Sequence, residues 1–168
     1  NALEAGDTLT PLPFHRLSEG FEYLRFVSDQ ALAKAGKRPQ IFLANLGGVA
    51  AHTTRATFAK NFFEAGGIEA LSCEGFSDAA SLANAFKEAE VQAAVICGND
   101  TDYQMFGLDA AKALKAVGCE YLYLAGKPEN MNEFKAVGIH DFIYMGCNVL
   151  DTLEVLMKRL VTDAGEEK

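Results

Sequence analysis

Five short apolar runs rich in β-forming residues alternate with helical patterns from Pro39 onward, and this alternation restricts the fold more than any other feature. The runs are Ile41–Ala44, Ile68–Leu71, Ala93–Cys97, Tyr121–Leu124 and Phe142–Met145. The first and third are apolar on both sides of the pleat, as expected for central strands of a parallel sheet covered on both faces. Gly67, Gly118 and Gly138 each stand just before a new strand, where a left-handed residue releases the chain from the preceding helix. Lys115-Ala116-Val117-Gly118 and Lys135-Ala136-Val137-Gly138 repeat this helix-to-strand joint, with no third copy to suggest a solenoid. Strict alternation with right-handed crossovers gives an α/β, doubly wound, five-stranded parallel sheet of order 2-1-3-4-5.

That order is flavodoxin-like, and the domain is expected over residues 39–162. Its last helix is the clearest element: Asn148 can cap it with Asp151 answering, and Leu150, Leu153, Leu156, Met157 and Leu160 form one stripe. Residues 163–168 read as a frayed polar tail. Residues 1–38 differ in kind and read as a linker arm. Leu9, Pro11, Leu12, Pro13 and Phe14 make an extended apolar stretch, followed by an amphipathic helix from Ser18 to Ala35 with Phe21, Leu24, Ala31 and Leu32 on one face. The chain opens Asn1-Ala2 without an initiator methionine, which suggests an excised fragment of a longer polypeptide, and the arm either packs on its own α/β domain or connects to a preceding one.

The 168 residues suit one buried core. Hydrophobic residues at 49% exclude wholesale disorder, and no apolar run is long enough to span a bilayer. A net charge of -8, with no basic stripe, gives nucleic-acid binding no electrostatic footprint. Cys73, Cys97, Cys119 and Cys147 lie far apart with no C-x-x-C pair. They read as small apolar side chains in a reducing cytoplasm, not as a disulfide framework or a metal site.

Ligands of such a sheet bind outside the C-terminal strand ends. Here that rim is Asn45–Thr53, Gly98–Asp102, Gly126–Pro128 and Gly146–Asn148. Asp100 and Asp102 could hold a cation or take a phosphoryl group, but Asn45 and Gly146 stand where an acidic cluster and a lysine would be needed. Capping of the next helix by Asp100 or Thr101 is the simpler reading. Gly47-Gly48 meets neither the dinucleotide fingerprint nor the Walker loop. His52 could be a ligand, a base or merely the residue before a helix, while His15 and His140 have no metal-ligand spacing to anything nearby.

The loop Ala50-Ala51-His52-Thr53-Thr54-Arg55 resembles a cobalamin-binding loop, Asp-x-His-x-x-Gly, that retains only the histidine. The stretches Pro11–Phe14, Arg38–Gly47, Phe58–Ala70, Val95–Asp100 and Tyr123–Gly126 together resemble the C-terminal region of the small subunit of bacterial methylmalonyl-CoA mutase. In that family, two homologous subunits pair, each with a barrel domain followed by a cobalamin-type α/β domain. Only the large subunit binds adenosylcobalamin and interconverts methylmalonyl-CoA and succinyl-CoA.

The resemblance implies a structural, non-catalytic module of a heterodimeric isomerase, working with the large subunit and its own barrel domain. Three departures go with that: Ala50 and Arg55 replace the Asp and Gly of the ligand loop, Gly98-Asn99-Asp100 replaces the Ser-x-Leu after strand 3, and Ala125-Gly126 replaces the Gly-Gly after strand 4. No catalytic residue carries over, and no cofactor is expected in this chain. Without an acid behind His52 the imidazole lacks the partner that fixes its tautomer, and Arg55 fills space a glycine would leave. Two other readings stand beside this one: a corrinoid carrier using His52 as cobalt ligand, and a small-molecule sensor using Asn99, Asp100 and Arg55.

Overall fold

The computed structural model describes residues 12–166, with side chains from 19 to 162. In chain order the elements are α1 (Leu12–Ala35), β1 (Gln40–Asn45), α2 (Val49–Ala65), β2 (Glu69–Leu71), α3 (Ala79–Ala89) and β3 (Ala93–Cys97). Then come α4 (Asp100–Asp102), a π-helical turn (Tyr103–Gly107), α5 (Leu108–Ala116), β4 (Tyr121–Ala125), α6 (Met131–Ala136), β5 (Asp141–Ile143) and α7 (Val149–Glu166). The sheet is parallel throughout, in the expected order β2-β1-β3-β4-β5.

Alternation along the strands builds two cores. Leu43 lies beside Val95, which lies beside Tyr123. These face Phe63 of α2 and Leu153, Leu156 and Met157 of α7. Phe42, Ala44, Ile96, Leu122 and Leu124 point the other way, onto Phe86 of α3, Leu114 of α5 and Phe134 of α6. A parallel sheet buried on both faces needs apolar residues at both parities, which is why β1 and β3 show no alternation in sequence.

Some boundaries differ from expectation. The edge strand β5 stops at Ile143, whose carbonyl takes the last ladder bond from Gly126. Met145, expected in the strand, is 85% exposed. The frayed tail expected from residue 163 is instead helical as far as Glu166. Helix α1 starts at Leu12, so the extended stretch and the Ser18 start give way to one longer helix. Pro13 is compatible with that, because its missing N–H falls in the first turn, where no intrahelical acceptor exists. Leu9 and Pro11 lie outside the described residues.

On α1, Leu24 is buried and Phe21 and Val27 pack on the first core, but Leu32 faces solvent. Its expected place is taken by a polar clasp. Ser28 is fully buried, and its Oγ donates to the Gly67 carbonyl at 2.6 Å while accepting from Arg38 Nη1 at 3.0 Å. Arg38 in turn pairs with Asp29 at 2.6 Å. The clasp pins the end of α1 to the α2–β2 joint, and α1 also packs along α7. Among the described residues, no helix is long and apolar enough to cross a membrane.

Gly67 turns this joint with φ of +81°, and a methyl group there would lie 2.6 Å from the Ser28 Cβ. Gly67→Ala should therefore cost about 2 kcal/mol or more, from backbone strain together with the displaced clasp. Urea unfolding of variant and parent measures it.

Candidate functional site

The rim above β1, β3 and β4 is built around Arg55, which α2 presents from its second turn. Arg55 Nη1 donates to the Gly98 carbonyl at 2.8 Å, and Nη2 pairs with Asp100 Oδ1 at 2.8 Å. The guanidinium carbon lies 5.0 Å from the Tyr103 ring centroid. A Cβ at Gly126 would meet Arg55 Cζ and Nε at 3.2 Å. One side chain thus crosses the ends of both β3 and β4. Burial alone would lower its pKa, but the hydrogen bond and charge of Asp100 outweigh this and the net direction is upward.

Beneath the guanidinium, the Tyr103 hydroxyl accepts the Gly98 N–H at 3.0 Å. It also lies 2.5 Å from the Ala125 carbonyl and 3.1 Å from that of Ile96. With one proton to give, it donates to one of these at a time, and the distances favour Ala125. Burial pushes the phenol pKa far up, so the group stays a neutral donor. The sequence reading missed Tyr103. Its one signal was an aromatic hydroxyl placed a helical turn after a capping residue on a rim loop.

That cap is Asn99, one residue earlier than the expected Asp100 or Thr101: its Oδ1 accepts the Asp102 N–H at 2.7 Å. The correction follows from the backbone, since Asn99 is extended (φ -88°, ψ 173°) while Asp100 is already helical. Asp100 is thereby free to pair with Arg55. Asp102 turns towards Gly47, where a Cβ would lie 2.6 Å from its Oδ2. Gly47 precedes α2, whose N-cap Gly48 has no side chain to offer, so the carboxylate sits where the helix dipole favours negative charge.

His52 is on α2 but turned inward, 6% exposed, with Nδ1 3.3 Å from the Gly47 carbonyl. A carbonyl only accepts, so this contact selects the tautomer protonated at Nδ1. Gly75, in the loop after β2, covers the ring. A Cβ there would fall 2.8 Å from His52 Nδ1 and 1.7 Å from the Gly47 oxygen, so only glycine fits. The same loop closes on β1 through Gly47 N–H to Phe76 O and Phe76 N–H to Asn45 O. Asn45 Nδ2 donates to the Cys73 carbonyl at 2.9 Å.

Of the rim loops singled out from sequence, the structure gathers Asn45–Thr53, Gly98–Asp102 and Gly126. The loop Gly146–Asn148 is not among them. Asn148 instead caps α7, accepting the Asp151 N–H at 3.2 Å and donating to its carboxylate at 2.7 Å. All four cysteines are free thiols, and burial pushes that of Cys119 up to about 12. Among the described residues, no three His, Cys, Asp or Glu side chains converge closely enough to hold a metal ion. Chemically, Arg55, Tyr103 and Gly98 satisfy one another, while Asn45 Oδ1 and Asp102 Oδ2 are buried at the same rim without a hydrogen-bond partner.

Tyr103→Phe leaves the Gly98 N–H and one buried carbonyl short of a partner, and should cost about 1–3 kcal/mol in urea unfolding. Asp100→Asn removes an ion pair whose acid is 80% exposed, and should cost under about 1 kcal/mol.

No family model matches the chain. It is 40% identical over 160 residues to a probable methylmalonyl-CoA mutase small subunit of Mycobacterium tuberculosis, covering 95% of this chain and 25% of the relative. The methylmalonyl-CoA mutase small subunit of Streptomyces virginiae is 37% identical over 149 residues, covering 89% and 23%, and that of Porphyromonas gingivalis 30% over 146, covering 87% and 23%. The chain spans about a quarter of the length of the curated relatives it matches. Among solved structures, a CheY-like protein of Pseudomonas aeruginosa superposes with a TM-score of 0.51 at 16% identity, over 72% of this chain and 92% of that one. A signal receiver domain of a modulated diguanylate cyclase from Desulfovibrio desulfuricans gives 0.50 at 17%, over 77% and 98%. At such identity these likenesses speak for the flavodoxin-like fold alone. By sequence, the chain is a homologue of one segment of the methylmalonyl-CoA mutase small subunit.

Proposed function

We propose that this chain is a structural, non-catalytic module of a cytoplasmic methylmalonyl-CoA mutase, working in assembly with a larger, adenosylcobalamin-carrying subunit and with a barrel domain of its own polypeptide. On this reading residues 1–38 are the junction to that barrel, the complex is an isomerase, and this chain takes up no cobalamin. The observation that carries the reading is the Arg55 guanidinium, held by the Gly98 carbonyl, the Asp100 carboxylate and the face of Tyr103 across the rim where a ligand of this fold would enter.

The donor set does not fit a corrinoid. Ala50 offers no carboxylate to orient His52, and the ring lies under Gly75 with its Nδ1 against a backbone carbonyl. The groups that would serve a small-molecule sensor are already engaged: Arg55 and Asp100 hold each other, and Asn99 caps the helix.

Titration with hydroxocobalamin, followed in the visible, should give no stoichiometric spectral change, and His52→Ala should behave as the parent does. Tight uptake lost in His52→Ala would establish a corrinoid carrier instead. A tagged full-length polypeptide should also copurify with a larger homologous subunit, and isolation without one would count against an assembly role.

A further inference from the structure

The β5 edge of the sheet has an opening that Arg55 and Tyr103 do not line. Between the edge strand β5 and α7 lies a groove of about 440 Å³, lined among others by Tyr123, His140, Asp141, Tyr144, Val155 and Arg159. Helix α7 contributes Asp151, Thr152, Val155 and Arg159 from successive turns, a face distinct from its core stripe.

The charged groups lining it are unequally engaged. Asp141 accepts the Phe142 N–H at 2.8 Å, and Asp151 is held by Asn148 at 2.7 Å. Arg159, by contrast, has no carboxylate partner among the described residues. Its guanidinium rests over Tyr121, 5.3 Å from the ring centroid, with Nη1 3.4 Å from His140 Nε2. His140 itself stands edge-on to Tyr121. Lys127 covers the ring of Tyr144 at 5.1 Å, so two aromatic faces at this end already hold cations.

We propose that the groove between β5 and α7 binds a small organic anion, with its carboxylate or phosphate head on Arg159 and His140 and its apolar body against Tyr144 and Val155. Arginine's planar fork suits either head group. His140 becomes a second charged donor on binding. Without the anion, partial burial and then the charges of Lys115 and Arg159 hold its pKa down, while a hydrogen bond to the Gly138 backbone and then Asp141 act the other way and Tyr121 and Tyr123 flank the ring. An arriving anion offsets those cations, so binding tightens as pH falls through the histidine range.

The test is an NMR titration of the labelled chain with benzoate, phenyl phosphate, inorganic phosphate and neutral benzamide, reading the His140 ring and Arg159 Nε signals. Saturable shifts with benzoate or phenyl phosphate are expected, several-fold tighter at about pH 6 than at about pH 8, with benzamide inert. Saturation by inorganic phosphate as well would assign the head to phosphate, whereas response to benzoate alone would assign it to carboxylate. Arg159→Gln should weaken binding by about tenfold or more. His140→Gln should keep binding but flatten its pH dependence, and it carries the test should Arg159→Gln unfold. Equal binding of benzamide, no saturable shift, or an unchanged isotherm in Arg159→Gln would overturn the proposal.

Discussion

Where a parallel sheet ends, its central strands leave polar backbone groups at the C-terminal rim that no neighbouring strand takes up, and buried groups of that kind must find partners. In this chain the partners are its own side chains. Gly98 donates its N–H to the Tyr103 hydroxyl and accepts from Arg55 at its carbonyl, while the Ala125 carbonyl accepts from Tyr103. That exchange ties α2 to the ends of β3 and β4, with the bare Gly126 beside the guanidinium. In related architectures this edge receives ligands. Here it joins elements, with Asp100 completing the charge.

The layout of the domain was readable because it rests on local patterns. Apolar residues at both parities of β1 and β3 announced a sheet covered on two sides, and the glycines before β2, β4 and β5 marked where helices give way to strands. Arg55 was also readable, because a long cation in a place that asks for space has to go somewhere. Its partners were not. Tyr103 works through Ala125, 22 positions away, and Ser28 through Gly67, 39 away; such pairings follow from tertiary placement that no window of sequence contains. Leu32 was assigned to the buried face by period alone, whereas the actual inner face of α1 is set by the polar clasp and by its packing on α7. The length of α1 escaped for a different reason: a proline near its start was taken as a break, although the first turn tolerates it.

Sequence likeness and structural likeness carry different information here. The receiver-type neighbours share the fold at 16–17% identity and, at that level, lend no chemistry. The mutase small subunits share 30–40% identity over most of the chain but extend far beyond it. The module consequently has two surfaces of unlike character. At the rim, Arg55, Tyr103, Gly98 and Asp100 engage one another, and only Asn45 Oδ1 and Asp102 Oδ2 among the buried oxygens there lack a partner. At the β5–α7 edge, two acids are engaged by their neighbours and a guanidinium is left facing an open groove.

The central claim, that the rim is closed by the chain's own arginine, is tested most directly by the Arg55 side-chain nitrogen resonances with and without equimolar hydroxocobalamin. A guanidinium locked between a carbonyl, a carboxylate and an aromatic face should show resolved Nη signals with hindered rotation and a ring-shifted Nε, unchanged by the corrinoid. Averaged Nη signals in the chain alone, or their release together with a shift of His52 when the corrinoid is added, would contradict the account.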